Sequence, residues 1–290
     1  MIDLSAKRTA LAEDGAIHFP GPLPPEMQPM LSCIFDWSIA NPSDNAHHFE
    51  PTHDNPGRFY ADINNPMIPR GGSPYGALLV GSRLGDILQA LWGSRNIWFL
   101  YEQVLLKEGG AARRTPWHQD SSYLPIKGDM IAVVWITLEE TPAENALEFI
   151  KASHRGPLYD GSAFDPADDT APIYGDGSMP RLPDIEADRG KWPILSWDVQ
   201  PGDALVFHPA TLHGGAPTRA GHRRRTLSLR FFGDDATYQP RSTNGVRGIG
   251  IEGETIWDKL AQSLKPGDPL RHSDFLQVRG ATDLHNIPKT

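Results

Sequence analysis

Thr115-Pro116-Trp117-His118-Gln119-Asp120 sets an imidazole and a carboxylate two residues apart in a stretch that reads as extended backbone. In extended chain, residues i and i+2 face the same side, so His118 and Asp120 aim at one point. Such a pair leaves a metal site incomplete, and a third ligand must come from elsewhere. The candidate is His213, in Ala210-Thr211-Leu212-His213-Gly214-Gly215, which follows the tight turn Pro201-Gly202-Asp203 and the strand-like run Ala204 to Phe207. Two neutral imidazoles and one carboxylate on one face of a metal leave three positions open, the arrangement of non-haem ferrous sites.

A His-x-Asp by itself often arises by chance, and the basic stretch beyond His213 gives it weight. There Arg219 is followed by His222-Arg223-Arg224-Arg225-Thr226-Leu227-Ser228-Leu229-Arg230. Strand alternation puts Arg224, Thr226, Ser228 and Arg230 on one face and Arg223, Arg225, Leu227 and Leu229 on the other. A guanidinium inside a β-core is costly unless it meets an anion. A dicarboxylate held at the metal by one end would present its far carboxylate there, and a guanidinium suits it bidentately. Arg224 is therefore placed inside, and Arg223 and Arg225 on a solvated face.

Working outward, short apolar runs bounded by turn residues recur from Asn96 onward: Ile97 to Leu106, Met130 to Leu138, Leu147 to Ile150, Ala204 to Phe207 and Thr226 to Phe232. These have the length and composition of strands. No regular helices separate them, which excludes a doubly wound sheet and suits a β-sandwich or barrel. Helical patterns fall at residues 5–15, 22–40, 81–92 and 255–264, with a strand-like entry from Gly15 to Phe19. Residues 41–78 read as loop. Residues 156–192, rich in Asp, Pro and Gly, read as a long insertion between two strands, and the tail beyond the last helix as polar loop. The expectation is a single domain over residues 1–290, with a core at about 10–235 and a C-terminal extension at 236–290.

Composition bounds the function. The chain has 290 residues and a formal net charge of −9, which argues against a nucleic-acid partner but not against a small anionic ligand in a local pocket. No run approaches the length of a membrane span, and the N-terminal stretch lacks the pattern of a secretory signal, so a cytoplasmic location is expected. The single cysteine, Cys33, rules out an intramolecular disulfide and, set in an apolar run, reads as a buried thiol.

Taken as a set, Trp117-His118-Gln119-Asp120, Asn145-Ala146-Leu147-Glu148-Phe149 with Ser153-His154-Arg155, Pro201-Gly202-Asp203, His213-Gly214-Gly215 and Arg224-Arg225-Thr226-Leu227-Ser228 resemble the phytanoyl-CoA dioxygenase family of Fe(II)/2-oxoglutarate oxygenases. The resemblance runs over roughly residues 10–235. It implies a mainly β protein, with a double-stranded β-helix (jelly-roll, cupin-like) core and N-terminal helices packed on it. It further implies Fe(II) on His118, Asp120 and His213, 2-oxoglutarate as cosubstrate on Arg224, and O2 as oxidant. Tyr101, Gln103 and Trp135 fall on positions that line the cosubstrate pocket. Trp117, Tyr123 and Arg70 are candidate contacts for a small-molecule substrate. Two departures stand out: Gly215 occupies a position where many relatives carry serine, and the usual Asn-Gly-Ala-Leu is shortened to Asn145-Ala146-Leu147. Halogenating relatives replace the carboxylate with a small residue, so Asp120 points to hydroxylation or a related oxidation.

Duller readings stand beside these. His208 and His154 read as structural, and His47, His48 and His53 as a solvent-exposed loop cluster. Two other function classes compete: a jelly-roll binding protein without catalysis, and a zinc-dependent hydrolase on the same ligands. Arg224, and the lack of a general-base Glu beside His118, weigh against the hydrolase. The sequence does not disclose the substrate or the oligomeric state.

Overall fold

An eight-stranded and a four-stranded antiparallel sheet pack face to face in the computed structural model, which describes residues 3–49, 57–63, 73–108, 113–165, 167–241 and 256–280. In spatial order the large sheet holds β1 (Ala16–Phe19), β10 (Ala204–Phe207), β7 (Ile131–Thr137), β12 (Arg224–Phe232), β4 (Ile97–Glu108), β3 (Arg58–Ile63) and β2 (His47–Phe49), and β14 (Leu276–Arg279) also pairs with β4. The small sheet holds β5 (Thr115–His118), β11 (His213–Gly215), β8 (Leu147–Ile150) and β9 (Ile194–Leu195). A two-stranded pair joins β13 (Thr237–Tyr238) to β6 (Ile126–Lys127). The helices are α1 (Leu4–Asp14), α2 (Gln28–Ala40), α3 (Tyr75–Leu79), α4 (Leu84–Trp92) and α5 (Ile256–Ser263). This is the expected jelly-roll layering with helices on it.

Every residue of β7 is buried because the strand is covered on both faces. Ala132, Val134 and Ile136 join Leu11, Leu31, Ile34, Leu88 and Leu91 of the helical layer. Val133 and Trp135 point the other way and pack with Leu205, Phe207, Leu147 and Phe149 between the sheets. β12 divides likewise: Leu227, Leu229 and Phe231 meet the helices, and Arg224, Thr226, Ser228 and Arg230 are buried on the opposite face.

Several expectations are corrected. Residues 41–78 contain β2, β3 and α3 besides loop. The strand signal of β3 is disguised by a buried polar residue, Asp62, whose carboxylate accepts from Ser43 N at 2.9 Å and Ser43 Oγ at 2.5 Å. The loop-like polar residues before β3 are thus its anchors. The tail is not only loop: β14 extends the sheet along β4, burying Val278, while Arg279 pairs with Asp86 at 2.6 Å. Arg225 is half-buried rather than solvated, because helices cover that face of β12; it lies over Phe35 and pairs with Glu139 at 2.7 Å. Arg223 is exposed as expected. Cys33 is exposed, since the helical period of α2 turns Leu31, Ile34 and Phe35 inward and Cys33 outward. His47 and His48 lie on β2, with His48 exposed, whereas His53 falls outside the described residues.

The insertion between β8 and β9 has little regular structure but is tied together from within. Asp160 accepts backbone N–H bonds from Ile173, Tyr174 and Gly175 at 3.2, 3.0 and 2.9 Å.

β5 and β11 approach closely where it matters for function. His213 sits directly across from His118, and the register then shifts before Gly215 pairs with Thr115. A Cβ at Gly214 would lie 2.8 Å from the Thr115 carbonyl oxygen, so the seam closes only around glycine. Gly214→Ala is expected to push the two strands apart and destabilise the fold by about 1–3 kcal/mol, the usual cost of overpacking; urea denaturation measures it.

Candidate metal centre

β5 delivers His118 at its last residue, the following turn delivers Asp120, and β11 delivers His213 at its first residue. The His118 and His213 rings lie 4.2 Å apart, centroid to centroid. Asp120 Oδ1 is 3.4 Å from His118 Nε2 and 3.8 Å from His213 Nε2. All three side chains are buried, and each offers one ligand atom within 4.8 Å of the other two. Two bonds of ~2 Å at right angles span roughly 3 Å, so small adjustments close this set around one ion.

The imidazole tautomers suit metal binding. His118 Nδ1 lies 2.9 Å from the Pro116 carbonyl and His213 Nδ1 2.9 Å from the Thr211 carbonyl. A carbonyl only accepts, so each Nδ1 carries a hydrogen and each Nε2 is turned toward Asp120. Burial, reinforced by the neighbouring His118, pushes the His213 pKa down to about 3, so its neutral form persists at neutral pH. Burial alone would raise the pKa of Asp120, but the Arg230 guanidinium, with help from both histidines, holds it well below the usual carboxylate range. The set is a carboxylate facing the Nε2 atoms of two imidazoles, which is donor chemistry that suits a ferrous ion.

Asp120 Oδ2 accepts from Arg230 Nη2 at 2.8 Å and Nε at 3.2 Å. Sequence reading put Arg230 on the inward face but gave it no role; the alternation that singled out Arg224 already contained it. Gln119 points away from the ligands and ties β5 to neighbouring loops, donating to the Ala210 carbonyl at 2.7 Å and accepting from Tyr159 N at 2.8 Å.

A second cluster lies beside the other end of β11. Arg224 donates to the carbonyls of Asn145 at 2.6 Å and Ala216 at 2.8 Å, and lies over Trp135 with 5.8 Å from Cζ to the ring centroid. Lys107, across from Arg224 on β4, donates to the carbonyls of Arg113 and Ala216, each at 3.0 Å. Burial lowers the pKa of both, Arg224 to about 10 and Lys107 well below its ordinary value, the latter also by repulsion from Arg224. Among the described residues neither cation has a carboxylate within ion-pair distance. Two buried basic groups met by neutral carbonyls and aromatic rings make a subsite that favours an anion. Gly215, beside this subsite, has φ +87°, and a Cβ there would meet Glu148 Cγ at 3.2 Å, so the position is shaped against serine.

The remaining predicted residues fall at different places. Trp135 stands at Arg224. Gln103 Oε1 instead accepts from Arg230 Nη2 at 3.2 Å, and the Tyr101 ring lies 4.6 Å beneath Arg230 Cζ. Tyr123 lies beside His118 (centroids 6.3 Å apart) and donates its hydroxyl to the Ser162 carbonyl at 3.0 Å. Trp117 alternates away from His118, packs with Ile150, Leu182 and Ile185, and donates Nε1 to Glu186 at 2.6 Å. Arg70 lies outside the described residues. Phe164, from the insertion, was not foreseen: its ring stands edge-on to His118 at 5.3 Å, with backbone φ +54°, uncommon for an aromatic residue.

A buried cluster of two histidines and one carboxylate able to hold a metal, set in a jelly roll beside a basic subsite, defines the class of the molecule. The family model described as "Phytanoyl-CoA dioxygenase (PhyH)" matches residues 12–226, and the chain belongs to that family. It is 25% identical over 186 residues to a probable phytanoyl-CoA dioxygenase of Caenorhabditis elegans, covering 62% of this chain and 54% of that protein. It is 25% identical over 167 residues to the peroxisomal phytanoyl-CoA dioxygenase of Homo sapiens, covering 56% and 46%. The chain thus spans about half the length of the curated relatives it matches. Among solved structures, it resembles the non-haem alpha-ketoglutarate-dependent epimerase SnoN from nogalamycin biosynthesis, with TM-score 0.66, 20% identity and 97% of each chain covered. It also resembles the alpha-ketoglutarate-dependent carbocyclase SnoK, with TM-score 0.65, 19% identity, and 93% and 94% covered. These likenesses establish the fold.

His208 sits outside the ligand set because both its nitrogens are engaged: Nε2 with the Gly128 carbonyl at 3.0 Å, and Nδ1 as acceptor from Ala210 N at 3.1 Å. Burial lowers its pKa, and it lowers that of His154 too. Unfolded histidine takes its proton near pH 6.5, so below that pH the unfolded chain binds protons the folded one refuses, and stability falls. Urea melts from pH 7 to 5 should show this loss as a stability that falls with pH. His208→Gln should flatten it.

Proposed function

We propose that this protein is an Fe(II)- and 2-oxoglutarate-dependent dioxygenase that hydroxylates, or otherwise oxidises, a C–H bond of a small organic molecule. One observation carries the reading: a carboxylate and two imidazole Nε2 atoms converge beside a buried basic subsite that, among the described residues, has no carboxylate of its own. His118, Asp120 and His213 would hold the iron, and Arg224, backed by Trp135, would hold the far carboxylate of 2-oxoglutarate. When bound, these groups supply an oxidation in which O2 is consumed and succinate and CO2 are released.

The protein's own part is binding, orientation and exclusion of water. The Pro116 and Thr211 carbonyls accept from the two Nδ1 atoms and so orient each ring with Nε2 toward Asp120. Arg224 contributes charge and direction, and its bonds to the Asn145 and Ala216 carbonyls lock its fork before any ligand arrives. Tyr123 and Phe164 wall the approach to His118 with apolar surface, which suits a substrate that presents a carbon rather than a charge to the metal. The epimerase SnoN has been crystallised with Fe3+, alpha-ketoglutarate and a nogalamycin derivative. Small molecules of the nogalamycin kind are therefore a sensible part of a substrate panel.

Anaerobic loading with Fe(II) and 2-oxoglutarate should produce a weak visible charge-transfer band, and admission of O2 should release succinate. Protein that takes up iron but gives neither band nor succinate across a broad substrate panel would leave a binding protein or a hydrolase as the better reading. Asp120→Ala should abolish turnover through loss of iron. Arg224→Ala should keep its iron and weaken 2-oxoglutarate binding roughly 10- to 100-fold, the worth of a charged hydrogen bond. Equal loss of iron in both variants would contradict this division of labour.

A further inference from the structure

Arg230 is the most deeply engaged side chain near the ligand set, and the reaction outlined above gives it no task. Both its Nη2 and its Nε donate to the same oxygen of Asp120, Oδ2, at 2.8 and 3.2 Å. The other oxygen, Oδ1, faces the two Nε2 atoms. The guanidinium is itself held on every side. Nη2 also donates to Gln103 Oε1 at 3.2 Å and Nη1 to the Ser228 carbonyl at 3.3 Å. Its plane rests on Tyr101, whose ring stands edge-on to Trp257 at 5.9 Å. The Arg230 and Asp120 side chains are only 6% and 9% exposed, so water offers neither an alternative partner.

We infer that Arg230 is a positioning residue that dedicates one oxygen of Asp120 to the metal and denies it the other. The consequence is a matter of counting. With two histidines and one carboxylate oxygen, a six-coordinate ion keeps three positions, enough for a two-point cosubstrate and O2. A carboxylate that swung to bind through both oxygens would take a fourth and leave one reactant without a place. Two donors converging on Oδ2 occupy its lone pairs and oppose that swing. Partners of this kind, which orient a ligand without touching the metal, usually matter 10- to 100-fold in affinity or activity. The same contact explains why an arginine is tolerated deep inside β12: its charge is matched by the ligand it steers.

This inference rests on the metal-centre reading, and the test separates the two. The metal-free protein, its Arg230→Gln variant and its Arg230→Lys variant are titrated anaerobically with Co(II), whose visible absorption reports coordination number. Thermal unfolding of each metal-free protein is recorded alongside. The parent should bind one Co(II); no binding would sink the metal centre itself. Folded Arg230→Gln should bind Co(II) about 10- to 100-fold more weakly, with an altered spectrum, and Arg230→Lys, which keeps one donor, should fall between. A residue with a merely structural role would lower the unfolding temperature and leave the affinity and spectrum of the folded protein alone. Co(II) affinity within about threefold of the parent and an unchanged spectrum in folded Arg230→Gln would overturn the inference. If that variant does not fold, the same result in Arg230→Lys overturns it.

Discussion

The pairing of β5 with β11 is the constraint on which the site depends. His118 and His213 are 95 residues apart in sequence yet become direct cross-strand neighbours. Side chains on one face of an antiparallel pair are brought within touching distance by the backbone alone. The imidazoles therefore need no special packing to meet; they need only the correct register. Gly214 permits the close approach, and Asp120, two residues past His118, is swung in by the turn that follows the strand. The Ser121 N–H bond to the Pro209 carbonyl then ties that turn to the loop leading into β11. A slip of one residue would turn every ligand outward.

Charge is distributed along β12 in a way that follows from this seam. Apart from Arg225, the inner part of the strand is apolar toward the helices, and it carries Arg224 and Arg230 toward the smaller sheet. The two buried arginines differ in what they face. Arg230 has an anion supplied by the protein, whereas Arg224 and its neighbour Lys107 have carbonyl dipoles and aromatic faces but, among the described residues, no carboxylate. A buried guanidinium with a carboxylate partner is a structural or orienting device; one without is held open for a ligand. Arg225, on the far face, pairs with Glu139 and belongs to the first kind.

Much of this was legible in the sequence because it is local. Period-2 alternation assigned the inward face of β12, and the i, i+2 relation joined His118 to Asp120 before any fold was known. Runs such as Leu147 to Ile150 and Ala204 to Phe207 matched their strands to the residue. What escaped was decided at a distance. β3 and β14 are held by the edges of β4, and β3 buries an aspartate no periodicity would place inside. Cys33 and Arg225 were misplaced because the sequence does not say which face of α2 or β12 another layer covers. Phe164 could not be assigned because the insertion is ordered by Asp160 and its backbone bonds rather than by a pattern of side chains.

Gly215 shows how a departure from a family pattern can be physical rather than neutral. A serine there would need both a left-handed backbone and room beside Glu148. Glu148 is not free to yield, since it pairs with Arg114 at 2.8 Å and Arg189 at 2.5 Å. Those arginines also reach Glu186, which in turn accepts from Trp117, so the network fastens the insertion to β5, which carries His118, and to β8, which pairs with the His213 strand. The glycine, the glutamate and the insertion are therefore parts of one arrangement. Room for a serine at this position is thereby given up to the bracing of the insertion against β5 and β8.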